Sequence, residues 1–133
     1  YFVLLIICQI AVIGAGAMGS LFASRLASNS LSPSSPFDTE VWLLSSWADH
    51  IDRIKNHGLI VEEIPENNLI IPTTISGKPA THTTSLHSTA SVREVLSSGP
   101  VDVIFILVKT PYTRVAAEKV RPLILLTDTQ RQN

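Results

Sequence analysis

Residues 10–19 read Ile10-Ala11-Val12-Ile13-Gly14-Ala15-Gly16-Ala17-Met18-Gly19. The β-branched residues Ile10, Val12 and Ile13 end abruptly at glycine, which is how a buried parallel strand reads. The glycines follow the spacing Gly-x-Gly-x-x-Gly, and a helix is expected from Ala17 to Ala27, with Leu21, Phe22 and Leu26 recurring on one side. Each glycine has its own physical reason. Gly14 permits the tight turn out of the strand, Gly16 lets backbone approach a pyrophosphate, and Gly19 lets the helix pack closely on the sheet. The helix N-terminus adds unpaired N–H groups and a partial positive charge. A strand–loop–helix carrying this pattern predicts that Gly14, Ala15, Gly16, Ala17, Met18 and Gly19 bind the phosphates of a dinucleotide. The alternative is a glycine-rich turn with no ligand.

Toward the N-terminus, residues 1–24 carry no charge and Tyr1 to Ile7 is wholly apolar. A bilayer span needs ~20 apolar residues, and a signal peptide has a shorter apolar core behind a basic segment. No basic residue precedes this run, Gln9 interrupts it, and Gly14, Gly16 and Gly19 crowd its second half. A strand and loop are therefore expected, with a signal or membrane anchor as the rival reading. Residues 1–8 stand as an apolar extension of unclear role.

The chain has 133 residues and a formal net charge of -1, and its ten basic residues are scattered. One domain is expected, and a nucleic-acid partner, which needs a concentrated basic face, is not. The single cysteine, Cys8, excludes an internal disulfide, fits a reducing, cytoplasmic setting, and reads as an inert core thiol. The start at Tyr1 and the polar stretch Thr127 to Asn133, with no closing element, suggest a piece of a longer protein.

Downstream, Ser28 to Asp38 reads as a surface loop and Val41 to Leu44 as a buried strand. A helix is expected over Ala48 to Asn56, with Ile51 and Ile54 inward and Gly58 closing it. Leu59 to Val61 and Leu69 to Ile71 are short strand candidates, and the Thr- and Ser-rich stretch Thr73 to Ser91 is expected to be exposed. A short helix over Val92 to Leu96 precedes Val101 to Val108, a nearly continuous apolar run suited to a central parallel strand. Thr113 to Leu125 reads as a further helix that Pro122 kinks or ends. This alternation predicts an α/β fold, a Rossmann-like parallel sheet with flanking helices.

Two further positions carry chemistry. At the end of the second strand of such a fold, an acid would bind the ribose of NAD and a base the extra phosphate of NADP. Here Ser45-Ser46-Trp47 follows Leu44. Ser46 offers a hydroxyl to a phosphate, and Trp47 could stack on adenine or simply pack under a loop. Lys109 follows the strongest strand, at the carboxyl end where ligands bind in open α/β sheets. It is expected to face the nicotinamide side of the cofactor or an anionic substrate, against the alternative of a solvated loop lysine.

The glycine loop, the stretch Trp47 to Val61 containing His57-Gly58-Leu59, the strand Asp102 to Val108 ending in Lys109-Thr110, and Glu118 to Leu123 together resemble ketopantoate reductases (2-dehydropantoate 2-reductases). The resemblance covers roughly Gln9 to Leu126. It implies a dinucleotide-binding domain over residues 9–126, a polar tail at 127–133, and truncation before a helical C-terminal domain that supplies the catalytic lysine and a substrate-binding glutamate. It further implies NADPH-dependent reduction of 2-dehydropantoate to pantoate in pantothenate biosynthesis. NADP(H) would be the cofactor, with contacts at Gly14 to Gly19, Ser46 and Lys109, and no catalytic residue would lie in this chain. A small-molecule 2-keto acid would be the substrate of the full-length protein, and a homodimer its assembly. One departure is that Ser46 stands where the family usually has an arginine for the 2′-phosphate. Another NAD(P)-dependent hydroxy-acid dehydrogenase, or a degenerate non-catalytic nucleotide-binding module, are the competing readings. His82 and His87 lack the further ligands that a zinc site needs, so no metal is expected.

Overall fold

A computed structural model of the chain describes residues 6–29, 37–63 and 80–131. In chain order the elements are β1 (Ile6–Ile13), α1 (Ala17–Asn29), β2 (Phe37–Leu44), α2 (Ala48–His57), β3 (Leu59–Glu63), β4 (Ala80–Thr84), β5 (His87–Thr89), α3 (Val92–Ser97), β6 (Val103–Ile106) and α4 (Thr113–Arg131). The main sheet has the order β5-β2-β1-β6, and every pairing in it is parallel. This is the expected Rossmann-like α/β architecture.

β1 is the spine. It pairs with β2 from Ile6↔Phe37 to Ile13↔Leu44 and with β6 from Ile10↔Val103 to Ile13↔Ile106. Side chains alternate between faces along a strand, and β1 uses both. Ile10 and Val12 join Ala23 and Ala27 of α1, Val41 and Leu43 of β2, and Ile54 of α2. Ala11 and Ile13 point the other way, into Val95 of α3 and Ala116, Val120 and Leu123 of α4. Ala11 and Val12 are both fully buried, so the uninterrupted apolar run is accounted for by cover on both faces. Each fully buried aliphatic chain of valine or leucine size stabilises the fold by ~1.5–3 kcal/mol.

Several expectations are corrected. β1 begins at Ile6, so a boundary after residue 8 falls inside the strand: Ile6, Ile7 and Cys8 pair with Phe37, Asp38 and Thr39. β2 accordingly starts four residues before Val41, and α1 runs on to Asn29. Polar residues extend both elements because ladder and helix hydrogen bonds, rather than apolar pattern, carry their ends. The Thr- and Ser-rich stretch contains β4 and β5, and Thr84, Ser88 and Thr89 are buried. β-Branched threonine suits strands, and the buried hydroxyls are satisfied. The Ser24 and Thr84 hydroxyls lie 2.9 Å apart, Ser88 Oγ donates to the Ile51 carbonyl at 3.3 Å, and Thr89 Oγ1 accepts from the Ser91 N–H at 3.0 Å. β3 and β4 form a separate antiparallel pair. The expected strand Leu69 to Ile71 lies outside the described residues.

Among the described strands β6 is at the sheet edge, not the centre, and is only half-buried. An apolar run reports that both faces are covered; it does not report whether both edges are paired. Pro122 neither ends α4 nor stops it short of the polar tail, since the helix continues to Arg131. The stripe Ala116, Val120 and Leu123 anchors the helix on the sheet on both sides of the proline. Gly58 closes α2 as expected, its N–H donating to the Ile54 carbonyl at 2.8 Å.

Gln9 is a polar residue buried in the central strand, and every polar group of its side chain is engaged. Its Nε2 donates to Glu40 Oε2 at 3.2 Å and to the Ser98 carbonyl at 2.9 Å, while its Oε1 shares the Ser98 hydroxyl proton, at 3.2 Å, with the Val95 carbonyl at 2.7 Å. Its backbone N–H donates to Asp102 Oδ2 at 2.9 Å, and its carbonyl accepts from the Asp102 N–H at 2.8 Å. One residue thus ties β1 to β2, to the end of α3 and to the entry of β6. Half-buried Cys8 is next to it. Burial first, and the Asp102 carboxylate second, push its thiol above the ordinary cysteine value, away from the reactive thiolate. Substituting Gln9→Ala is expected to cost about 0.5–1.5 kcal/mol by removing its hydrogen bonds to the part-buried Glu40 and Ser98. A urea titration reads this as a lowered midpoint at unchanged slope; an unchanged midpoint would show that the network adds nothing to stability.

Candidate functional site

The site is built where β1 ends. Gly14 has φ +109°, a backbone conformation that side-chain-bearing residues rarely adopt. A Cβ on it would lie 2.6 Å from the Leu107 carbonyl oxygen, just beyond β6. Its N–H donates to the Leu44 carbonyl at 2.8 Å, so the turn is fastened to the end of β2 as well. At Gly19 a Cβ would run into the Gly14 carbonyl. The close contact made by Gly19 is therefore with the loop itself, rather than with the sheet face as its spacing suggested. Gly16 differs from both, because a Cβ there would meet nothing within 4 Å. Two glycines are demanded by the fold, while the third faces open space.

Around Gly16 the backbone turns into the first helix. The Ser20 N–H donates to the Gly16 carbonyl at 2.9 Å, which starts the helical pattern. The N–H groups of the preceding first-turn residues have no intrahelical acceptor by geometry. The first turn holds no acidic side chain, and Ala17 and Met18 are exposed beside it. Ser20 Oγ donates to the Ala15 carbonyl at 3.2 Å, bracing the loop from within.

Beside the loop lies a cleft of about 410 Å³. Ile13 and Gly14 contribute from the end of β1, Leu44, Ser45 and Ser46 from the end of β2, and Val108 from just after β6. Tyr112, Val115, Ala116, Lys119 and Val120 form the opposite wall, on α4 and the short 3₁₀ turn Thr110–Tyr112 before it. Chain connections leave β1 toward β2 on one side and reach β6 on the other, so the cleft sits at the carboxyl edge near the topological switch point. Another hollow, lined by Ala27, Thr39, Glu40, Thr84 and Leu86, lies away from the glycine loop.

Of the residues singled out in the sequence, Gly14 and Ser46 share this cleft, and Ala15 to Gly19 form the adjoining loop. Lys109 does not line the cleft. It is exposed at the start of the 3₁₀ turn, where its carbonyl accepts from the Tyr112 N–H at 2.9 Å. Trp47 is 61% exposed and stacks on His50 with ring centroids 4.7 Å apart. His87 stacks on Trp42 at 4.5 Å, and among the described residues no His, Cys, Asp and Glu group is placed to hold a metal ion. No described helix is long and apolar enough to cross a membrane. Sequence reasoning missed Tyr112, Val115 and Lys119. The signal was present in their spacing, which puts all three on one side of a helix starting at the carboxyl end of β6.

A model of the family described as ketopantoate reductase PanE/ApbA matches residues 10–127. The chain belongs to this family. No curated protein matches it. Among solved structures it is similar to a crystal structure of an Enterococcus faecalis protein provisionally assigned as a 2-dehydropantoate 2-reductase, with 24% identity and a TM-score of 0.57. The match covers 86% of this chain and 30% of that one, so the chain spans under a third of its structural neighbour's length. At that identity the likeness speaks to the fold. The ketopantoate reductase family is an NAD(P)-dependent Rossmann-fold family, in keeping with the glycine loop and strand order described above.

The glycines separate experimentally. Gly14→Ala and Gly19→Ala are each expected to lower stability by about 1–3 kcal/mol or more through strain and collision. Gly16→Ala should remain within about 0.5 kcal/mol of the parent chain. Thermal unfolding of the three variants checks this; equal losses at all three positions would contradict it.

Proposed function

We propose that this chain is the cofactor-binding portion of an NADPH-dependent oxidoreductase that reduces 2-dehydropantoate, or a closely related 2-keto acid, to the hydroxy acid. The observation that carries the reading is the open cradle at Gly16 beside a cleft at the carboxyl edge of β1 and β2. Only a ligand approaching the backbone makes use of a glycine that the fold itself does not require.

In this reading the pyrophosphate lies against Gly14 to Gly19, held by first-turn N–H groups and the positive end of α1. The adenosine half enters the cleft, where Leu44, Val108, Tyr112 and Val115 provide apolar walls and Ser46 a hydroxyl. Lys109, at the carboxyl end of β6, faces the nicotinamide side or the carboxylate of the keto acid. The bound cofactor supplies the hydride. The residues named here bind and orient, and none is assigned a proton-transfer role. From family membership we extend the proposal to pantothenate biosynthesis, a cytoplasmic setting and a homodimeric full-length protein.

The test is a tryptophan-fluorescence titration with NADPH and then NADH at fixed salt, on protein shown by circular dichroism to be folded. Saturable NADPH binding, tighter than that of NADH, is expected, and Gly16→Val should weaken it at least tenfold without loss of fold, since ~1.4 kcal/mol corresponds to tenfold. Absence of saturable binding of either nucleotide to the folded chain would sink the proposal.

A further inference from the structure

The end of β2 carries hydroxyls and no cation. Ser45 Oγ already accepts from the Trp47 N–H at 3.1 Å, which commits it to the turn, while Ser46 is exposed at the cleft mouth. A phosphate monoester carries about -1.5 to -2 charges at pH 7. Hydroxyls alone can hydrogen-bond such a group without neutralising it. The charge has to come from elsewhere in the cleft wall, and Lys109 does not line that wall.

Lys119 does. It is the sole charged residue among those lining the cleft, and it comes from α4, the wall opposite Ser45 and Ser46. Its neighbours at helical spacing, Val115, Ala116, Pro122 and Leu123, are uncharged, so no intrahelical ion pair of the (i, i+3) or (i, i+4) kind competes for it. The contrast with Arg114 is direct, since that residue is paired with Glu118 at 3.5 Å. A lysine stem can lie along apolar surface while the ammonium reaches outward, and the wall beside it is Val115, Ala116 and Val120. Lys119 has no ion-pair partner among the described residues, and a long cation over an apolar floor, opposite an exposed hydroxyl, is a site for a small dianion attached to an apolar ring system.

We propose that Lys119, acting with Ser46, is the specificity-determining residue of this cleft and grips a phosphate on the 2′ position of an adenosine ribose, a task that a β2-end arginine would otherwise perform. The proposal rests on reading the cleft as the adenosine end of a dinucleotide site. It moves the source of phosphate selectivity from the strand end to a helix that the residue order alone does not connect with it.

The experiment uses calorimetric titration of the chain with adenosine 2′,5′-bisphosphate and with adenosine 5′-monophosphate, which differ only in the 2′-phosphate. The parent chain is expected to bind the bisphosphate roughly tenfold or more tightly, the scale of one charge-assisted contact. Lys119→Gln should bring the two affinities together by weakening the bisphosphate, whereas Lys119→Arg should keep the preference. Because Lys119 is exposed, circular dichroism of both variants should match the parent. Equal binding of the two nucleotides by the parent chain, or a preference that survives Lys119→Gln, overturns the assignment of Lys119 while leaving the dinucleotide reading in place. Failure of the parent chain to bind these nucleotides, NADPH or NADH overturns both.

Discussion

Three elements meet at the backbone of Gly14. Its N–H is bonded to the end of β2, its α-carbon faces the Leu107 carbonyl beyond β6, and its own carbonyl is packed against Gly19 of α1. A side chain at Gly14 would collide with Leu107 and Val108 beyond β6, and one at Gly19 would drive the first helix off the loop. The close approach therefore sets the spacing of the sheet's carboxyl edge. The parts of the candidate site depend on that edge: the open backbone at Gly16, the first turn of α1, and the cleft between the ends of β1 and β2 and the start of α4.

The middle of β1 is secured by different physics. There the central strand is held by a polar residue, Gln9, whose bonds reach Glu40, Ser98 and Asp102. Such a network stabilises only when each buried group has a partner, and here each does. The carboxyl end of β1 is thus specified by steric closeness and its middle by hydrogen bonding. The aliphatic layers between them supply most of the burial, and α4 takes part in both tasks. Its Ala116, Val120 and Leu123 stripe packs on the sheet, and its Val115, Ala116, Lys119 and Val120 line the cleft. A helix that serves both core and cleft wall couples the stability of the fold to the shape of the cleft.

The cleft's electrostatics follow from the same arrangement. No acidic residue lines it, and its one cation stands on the helical wall. Together with the partial positive charge of the α1 terminus, this makes the carboxyl edge attractive to anions although the chain as a whole is slightly negative. Positive charge at this edge is then a local property, which composition averages away.

The sequence by itself determined the local pieces whose physics is local. The glycine spacing after Ile13, the two-faced apolar run of β1, the helical repeat of α2 and the glycine at its end are legible because φ/ψ limits, side-chain period and capping act within a few residues. Tertiary structure decided what depends on neighbours distant along the chain. Ile6 to Cys8 are strand because Phe37 to Thr39 pair with them, and Ser88 and Thr89 are core because β2 and α2 cover them. β6 stands at the edge of the described sheet because pairing, unlike burial, leaves no mark on its apolar pattern. Lys119 reaches the same cleft as Ser46, across more than seventy intervening residues. That meeting is set by how α4 lies across the carboxyl edge, a packing angle that residue order alone does not encode.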